Sequence, residues 1–142
     1  MNDALERLKK LTSKISSYEL KRKENYQKLK KLFFLLNLDK KIGDFEDIFS
    51  FKAINLSAVS LQKDTFAQIQ KGKYFQLLAI TKQNGKSKNI SLAYYGRVEN
   101  VEEELKNNVI EFVLRYRFEK SFINLEYYND IVDFFENGKK NG

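Results

Sequence analysis

From Asn2 to Leu38 the chain runs for 37 residues without a Gly or Pro, and good helix formers dominate the run. A segment of that length and composition is constrained to a long helix. Reading heptads with Leu8 at position a puts Met1, Leu8, Ile15, Arg22, Leu29 and Leu36 on a, and Ala4, Leu11, Tyr18, Asn25 and Leu32 on d. Nine of these eleven positions are apolar, which is a coiled-coil-grade seam. The two exceptions, Arg22 and Asn25, sit together in mid-helix. A polar pair in a seam fixes register or partner number, or it marks the joint between two segments that pack differently. Leu8, Leu11, Ile15, Tyr18, Leu29 and Leu32 are therefore the expected interface of this helix, and self-association through it is one use of the seam.

The flank of the seam is basic. Arg7, Lys14, Lys21 and Lys28 fall on one line at the g positions, and Lys9, Lys23, Lys30 and Lys31 extend the charged surface. In a parallel homodimer the g residues would face Thr12, Glu19, Tyr26 and Phe33, so only Lys14–Glu19 would be an opposite-charge pair. The row needs another counter-charge: phosphates, an acidic partner protein, or the acidic C-terminal third of the same chain. Charge is distributed accordingly. The net charge is +7; residues 1–42 carry +7, residues 43–98 carry +4, and residues 99–142 carry −4. The expected organisation is a basic helical arm over 1–42 joined to an α+β body over 43–142, one domain overall.

What the chain lacks narrows its chemistry. In 142 residues there is no Cys, His, Trp or Pro. Disulfides, thiolate nucleophiles, Ser-His or Cys-His units and Cys- or His-type zinc sites are excluded with them. No apolar run approaches the roughly 18 residues of a membrane-spanning helix, and the N-terminus lacks a signal-peptide pattern, so a cytoplasmic protein without a membrane partner is expected. Asp44, Glu46, Asp47 and Lys52 lie close in sequence, but the strand expected just after them holds no Glu-x-Lys to make a nuclease motif. Gly85-Lys86-Ser87 resembles the end of a phosphate-binding loop, yet Ile80 stands where that loop needs its first glycine. A non-enzyme without metal or cofactor is the expectation.

In the body, Gly43 is the expected C-terminal residue of the first helix, followed by a short helical turn over Phe45–Phe49 and a strand over Phe51–Leu61. Lys63–Gly72 reads as a connector with a turn near Phe66–Ile69. The clearest local signal is a hairpin over Lys73–Val98 centred on Asn84-Gly85, a type I′ pair. That centre predicts pairs whose numbers sum to 169: Phe75 with Tyr94, Leu77 with Leu92 and Ala79 with Ile90 inside, Tyr74 with Tyr95 outside, and Lys82 with Ser87 near the tip. Asn100 and Glu103 have capping-box spacing, and Val101, Leu105, Val109, Phe112 and Tyr116 form a helical stripe. Residues 109–118 also alternate as a strand would, and the cap favours helix. Asn124 is the expected cap of a last helix, Leu125–Asn137, closed by Gly138 and buried through Leu125, Tyr128, Val132 and Phe135.

The predicted fold is thus α+β: a long N-terminal amphipathic helix, a small antiparallel sheet with an Asn-Gly hairpin, and one or two C-terminal helices. Were 109–118 a strand, the last two-thirds of the chain would be similar in outline to single-stranded nucleic-acid-binding folds of the transcription-cofactor and Pur type. Two functions fit. One is a nucleic-acid-binding accessory protein, with Arg7, Lys14, Lys21, Arg22, Lys23, Lys28, Lys30, Lys31, Lys82, Lys86 and Lys88 on phosphates and Tyr74 and Tyr95 as a stacking platform. The other is an interaction, assembly or inhibitor protein, of the kind a phage or mobile element encodes, docking by its helix seam on an acidic protein.

Overall fold

The computed structural model describes the backbone of residues 2–141, and the side chains of all of these except 2, 12–16 and 139–141. Lys14 and Ile15 are therefore outside the described side chains. The architecture is α+β: helix α1 (Asn2–Leu35), a one-turn helix α2 (Asp39–Ile42), strands β1 (Ala53–Leu56), β2 (Tyr74–Gln83) and β3 (Lys86–Arg97), and a long helix α3 (Glu103–Asn141). Short 3-10 turns occupy Phe45–Ser50, Lys63–Thr65 and Val98–Asn100. The sheet is antiparallel in the order β1-β2-β3.

α1 ends three residues sooner than its helix formers suggest. Asn37 takes a left-handed conformation (φ 57°), Leu38 N–H returns to the Phe33 carbonyl, and the chain turns into α2. Asparagine tolerates this conformation better than other non-glycine residues. Gly43 (φ 100°) then closes α2 rather than α1. The strand predicted over Phe51–Leu61 shrinks to Ala53–Leu56, since Ala58 (φ 67°) bends the chain away from β2. The expected turn near Phe66–Ile69 lies earlier, at Lys63–Thr65, and Ile69 bridges to Val59.

α1 and α3 are antiparallel, because Arg22 meets Glu119 and Glu126 while Asn25 meets Arg115. Leu29, Leu32 and Phe33 from α1, Val109, Phe112, Val113 and Tyr116 from α3, and Phe75, Leu77, Ala79 and Ile54 from the sheet form one core. The run Leu32–Leu36 is apolar at every position, yet it is buried at Leu32 and Phe33 and exposed at Phe34 and Leu35, which face outward at helical spacing.

α3 bears out the helix favoured over 109–118 and overturns what was expected after it. Residues 109–118 are helical, so the outline of four strands and a helix does not exist here. The helix also runs without a break through Asn124 and Gly138, so Asn124 is an interior residue and not a cap. Its start is Glu103, with the Lys106 N–H bonded to the Glu102 carbonyl, so Asn100 belongs to the preceding 3-10 turn. The stripe Leu125, Tyr128, Val132 and Phe135, expected to be buried, is exposed at every position, because α3 has already run past the body at that point.

Candidate nucleic-acid interface

The hairpin positions the site. Asn84 (φ 53°) and Gly85 (φ 78°) both hold positive φ, as a type I′ turn requires, and the pairs from Gln83↔Lys86 to Leu78↔Ser91 follow the register that turn imposes. Beyond Leu78 the register slips, to Leu77↔Ala93 and Gln76↔Tyr94, then again to Tyr74↔Arg97. Each slip is an extra residue in β3, a β-bulge, and one extra residue exchanges the faces of everything after it. The predicted pairs Leu77/Leu92, Phe75/Tyr94 and Tyr74/Tyr95 are thereby overturned.

The consequence falls on the tyrosines. Tyr95 turns inward, with its ring 5.5 Å from that of Phe75; its hydroxyl is buried with no hydrogen-bond partner among the described residues, and burial raises its pKa. It cannot be half of a stacking platform. Tyr94 takes that place: its ring lies 5.8 Å from that of Tyr74 on the opposite face, and the two are 59% and 50% exposed. Arg97, across from Tyr74, flanks the pair. The same face carries Gln76, Leu78, Ile80 and Lys82 from β2 and Ser87, Asn89 and Ser91 from β3. The core lies against the other face; on this one Tyr74, Lys82, Ser87, Asn89, Ser91 and Tyr94 are exposed, and Gln76, Leu78 and Ile80 are half-buried.

The surroundings are basic. From Thr65 to Arg97 the sequence holds six Lys/Arg (Lys71, Lys73, Lys82, Lys86, Lys88 and Arg97) and no Asp or Glu. That acid-free run is the signal that marks this surface in sequence, more sharply than overall charge does. Glu99 enters from the next turn, where it accepts the Gly72 N–H at 3.0 Å; that bond, with Arg97 and Lys71 nearby, holds its carboxyl below the ordinary range.

At the β1 edge, a cavity of about 280 Å³ lies between β1 and α3, lined by Lys52, Ile54, Arg117, Lys120, Ser121 and Asn124 among others. Arg117 donates to Asn55 Oδ1 at 2.8 Å, and Lys120 donates to the Phe49 carbonyl at 3.1 Å. Burial lowers the Lys120 pKa. Among the described residues none of these three cations is in an ion pair with a carboxylate. An anion entering here would meet two or three positive groups plus hydroxyl and amide donors.

The basic row of α1 is divided by the fold. Arg22 is spent inside the protein, in ion pairs with Glu119 (3.2 Å) and Glu126. Lys21 sits over the Phe118 ring, and Lys23 lines a cleft with Glu19 and Glu119. Lys30 shares another cleft with Asp39, Asp44, Glu46 and Asp47. Lys28 and Lys31 are exposed near the body, and Arg7 is exposed far along α1. Leu29 and Leu32 are buried against this chain's own core, whereas Leu8, Leu11 and Tyr18 are exposed. Lys86 and Lys88 lie exposed at the hairpin tip. Among the described residues no cluster of three or more carboxylates is placed to hold a metal ion. No helix among them is long and apolar enough to cross a membrane.

No protein-family model, curated protein or solved structure matches this chain.

Proposed function

We propose that the protein is a non-catalytic nucleic-acid-binding accessory protein that takes single strands on the open face of its sheet. One observation carries this reading: Tyr74 and Tyr94 form an exposed aromatic pair on a face whose neighbours are cations, amides and hydroxyls. Unpaired bases stack on such rings irrespective of sequence, and amide side chains reach base edges that a duplex hides. Phosphates would run toward Lys82 and the tip lysines in one direction and Arg97 in the other, with the Lys52–Arg117–Lys120 cavity as an outlying anion site. The exposed lysines of α1 would add sequence-neutral attraction.

The test is a fluorescent single-stranded oligonucleotide titrated against the full chain. Tyr94→Ala should weaken binding by roughly 1–3 kcal/mol without loss of fold, and Tyr74→Ala likewise. Tyr95→Phe removes only a buried hydroxyl and should leave affinity unchanged. Binding that is indifferent to Tyr74 and Tyr94, or no binding at low salt, overturns the proposal. The exposed apolar faces of α1 and α3 speak to a separate property, docking with another helix.

A further inference from the structure

We propose that the protein assembles with a second copy of itself, the projecting half of α1 in each copy packing on the projecting half of α3 in the other. Because the helices are antiparallel, the N-terminal half of α1 and the C-terminal half of α3 leave the same end of the body. Before Arg22 every described side chain of α1 is exposed, and after Phe122 every described side chain of α3 is exposed.

The distal half of α3 is not shaped for solvent. At 100° per residue, Ile123, Tyr127, Ile131 and Phe134 continue the stripe that packs in the core, and Leu125, Tyr128 and Val132 form a second stripe beside it. Together they span roughly 200° of the helix. From Leu125 to Phe134 these large residues are 45% to 77% exposed. A helix apolar over so wide an arc is built to touch more than one neighbouring helix, as in a four-helix bundle. α1 carries the matching single stripe, with Leu8, Leu11 and Tyr18 exposed along it.

Charge selects the occupant. Residues 121–138 contain Glu126, Asp130, Asp133 and Glu136 and no Lys or Arg. Two such helices laid together would set four carboxylates beside four more. An anionic lipid surface would repel the same face. The projecting part of α1 instead offers Arg7, Lys9 and Lys10 beside its seam. The interface would also continue one already made, since Arg22 of α1 pairs with Glu119 and Glu126 of α3 within the chain.

Area agrees. A compact monomer of this mass exposes roughly 7,600 Å², whereas this chain exposes 10672 Å². The excess, on the order of 3,000 Å², exceeds the roughly 1,000–2,500 Å² that each subunit of an obligate homodimer buries. A two-fold arrangement in which each α1 meets the other α3 closes without leaving a free seam.

Sedimentation equilibrium on the full chain should give twice the 16.8 kDa monomer mass. A monomer at every loading concentration overturns the proposal, as does pelleting of a monomer with vesicles of phosphatidylcholine and phosphatidylserine. Tyr127→Asp with Phe134→Asp should produce a monomer of unchanged helicity, since both side chains are exposed within one copy. The pairing is tested by charge. Asp130→Lys with Asp133→Lys should weaken the dimer by roughly tenfold or more, and adding Lys9→Glu with Lys10→Glu should restore it. If the aspartate changes strengthen the dimer instead, α3 pairs with α3 and the assignment is wrong. Oligonucleotide binding by the sheet face can survive or fail independently of each of these outcomes.

Discussion

Asn25 shows what a polar residue in an apolar seam is for. It is 1% exposed; its side-chain amide donates to the Arg115 carbonyl at 3.0 Å, and its Oδ1 accepts from Arg115 Nη1 at 3.1 Å. A leucine at this point would pack but would remove both cross-helix hydrogen bonds, leaving the Arg115 guanidinium with Glu111 on its own helix at 2.6 Å. The asparagine thus ties α1 to one position on α3 and fixes their register. Asn25→Ala should cost about 1–3 kcal/mol in urea unfolding, the range for losing hydrogen bonds made to a charged group. Tyr26, one residue on, donates to Glu46, and its pKa is pushed up to about 12 by that hydrogen bond first, then by burial and the nearby charges of Glu46 and Glu119. Burial alone raises Tyr116 in the same direction. Since the fold favours the neutral phenol, its contribution to stability is complete below the unfolded value of about 10 and is lost as pH rises through about 12. The urea midpoint should therefore fall between these two values, and Tyr26→Phe should reduce that fall. An equal fall in the variant would assign the alkaline loss elsewhere.

At the scale of elements, what was legible depended on whether the deciding interaction was local. The Asn84-Gly85 turn and the register of its first pairs follow from two residues whose backbone preferences leave few alternatives. Gly85 sits at φ 78°, so Gly85→Ala should destabilise the hairpin by about 1 kcal/mol, measured as a shift in the urea midpoint. The bulges were not legible, because Leu92 and Ala93 are both apolar, and Tyr94 and Tyr95 are chemically identical candidates for the inner face. Only packing against Phe75 separates them. The helix over 109–118 was legible from its stripe and the charge placement before it. The uninterrupted run of α3 was not, since Asn124 and Gly138 carry capping chemistry and only the surrounding helix overrides it. The burial that periodicity predicts for Leu125, Tyr128 and Val132 fails for a related reason. Periodicity shows which residues share a face, but not whether anything lies against that face.

For the molecule as a whole, the charge asymmetry resolves into two surfaces. One is the acid-free sheet face with the cavity at its β1 edge. The other is the seam of α1, where Arg22 already answers to the acidic helix of the same chain. If Lys52, Lys82, Arg97 and Arg117 each meet a phosphate, log affinity for a single strand should fall against log salt with a slope of about −3. A slope near zero would separate binding from these cations. The α1–α3 joint also dictates the order in which the chain can mature. Arg22 and Glu119 are 97 residues apart, so at ribosomal speed the first waits roughly 5–20 s for the second to be made. Throughout that interval Leu29 and Phe33 have no α3 to cover them, and the core cannot close. α1 must therefore stay soluble on its own charge, and its lysines, beyond any ligand they meet later, are what keep a nascent apolar helix from aggregating before its partner emerges.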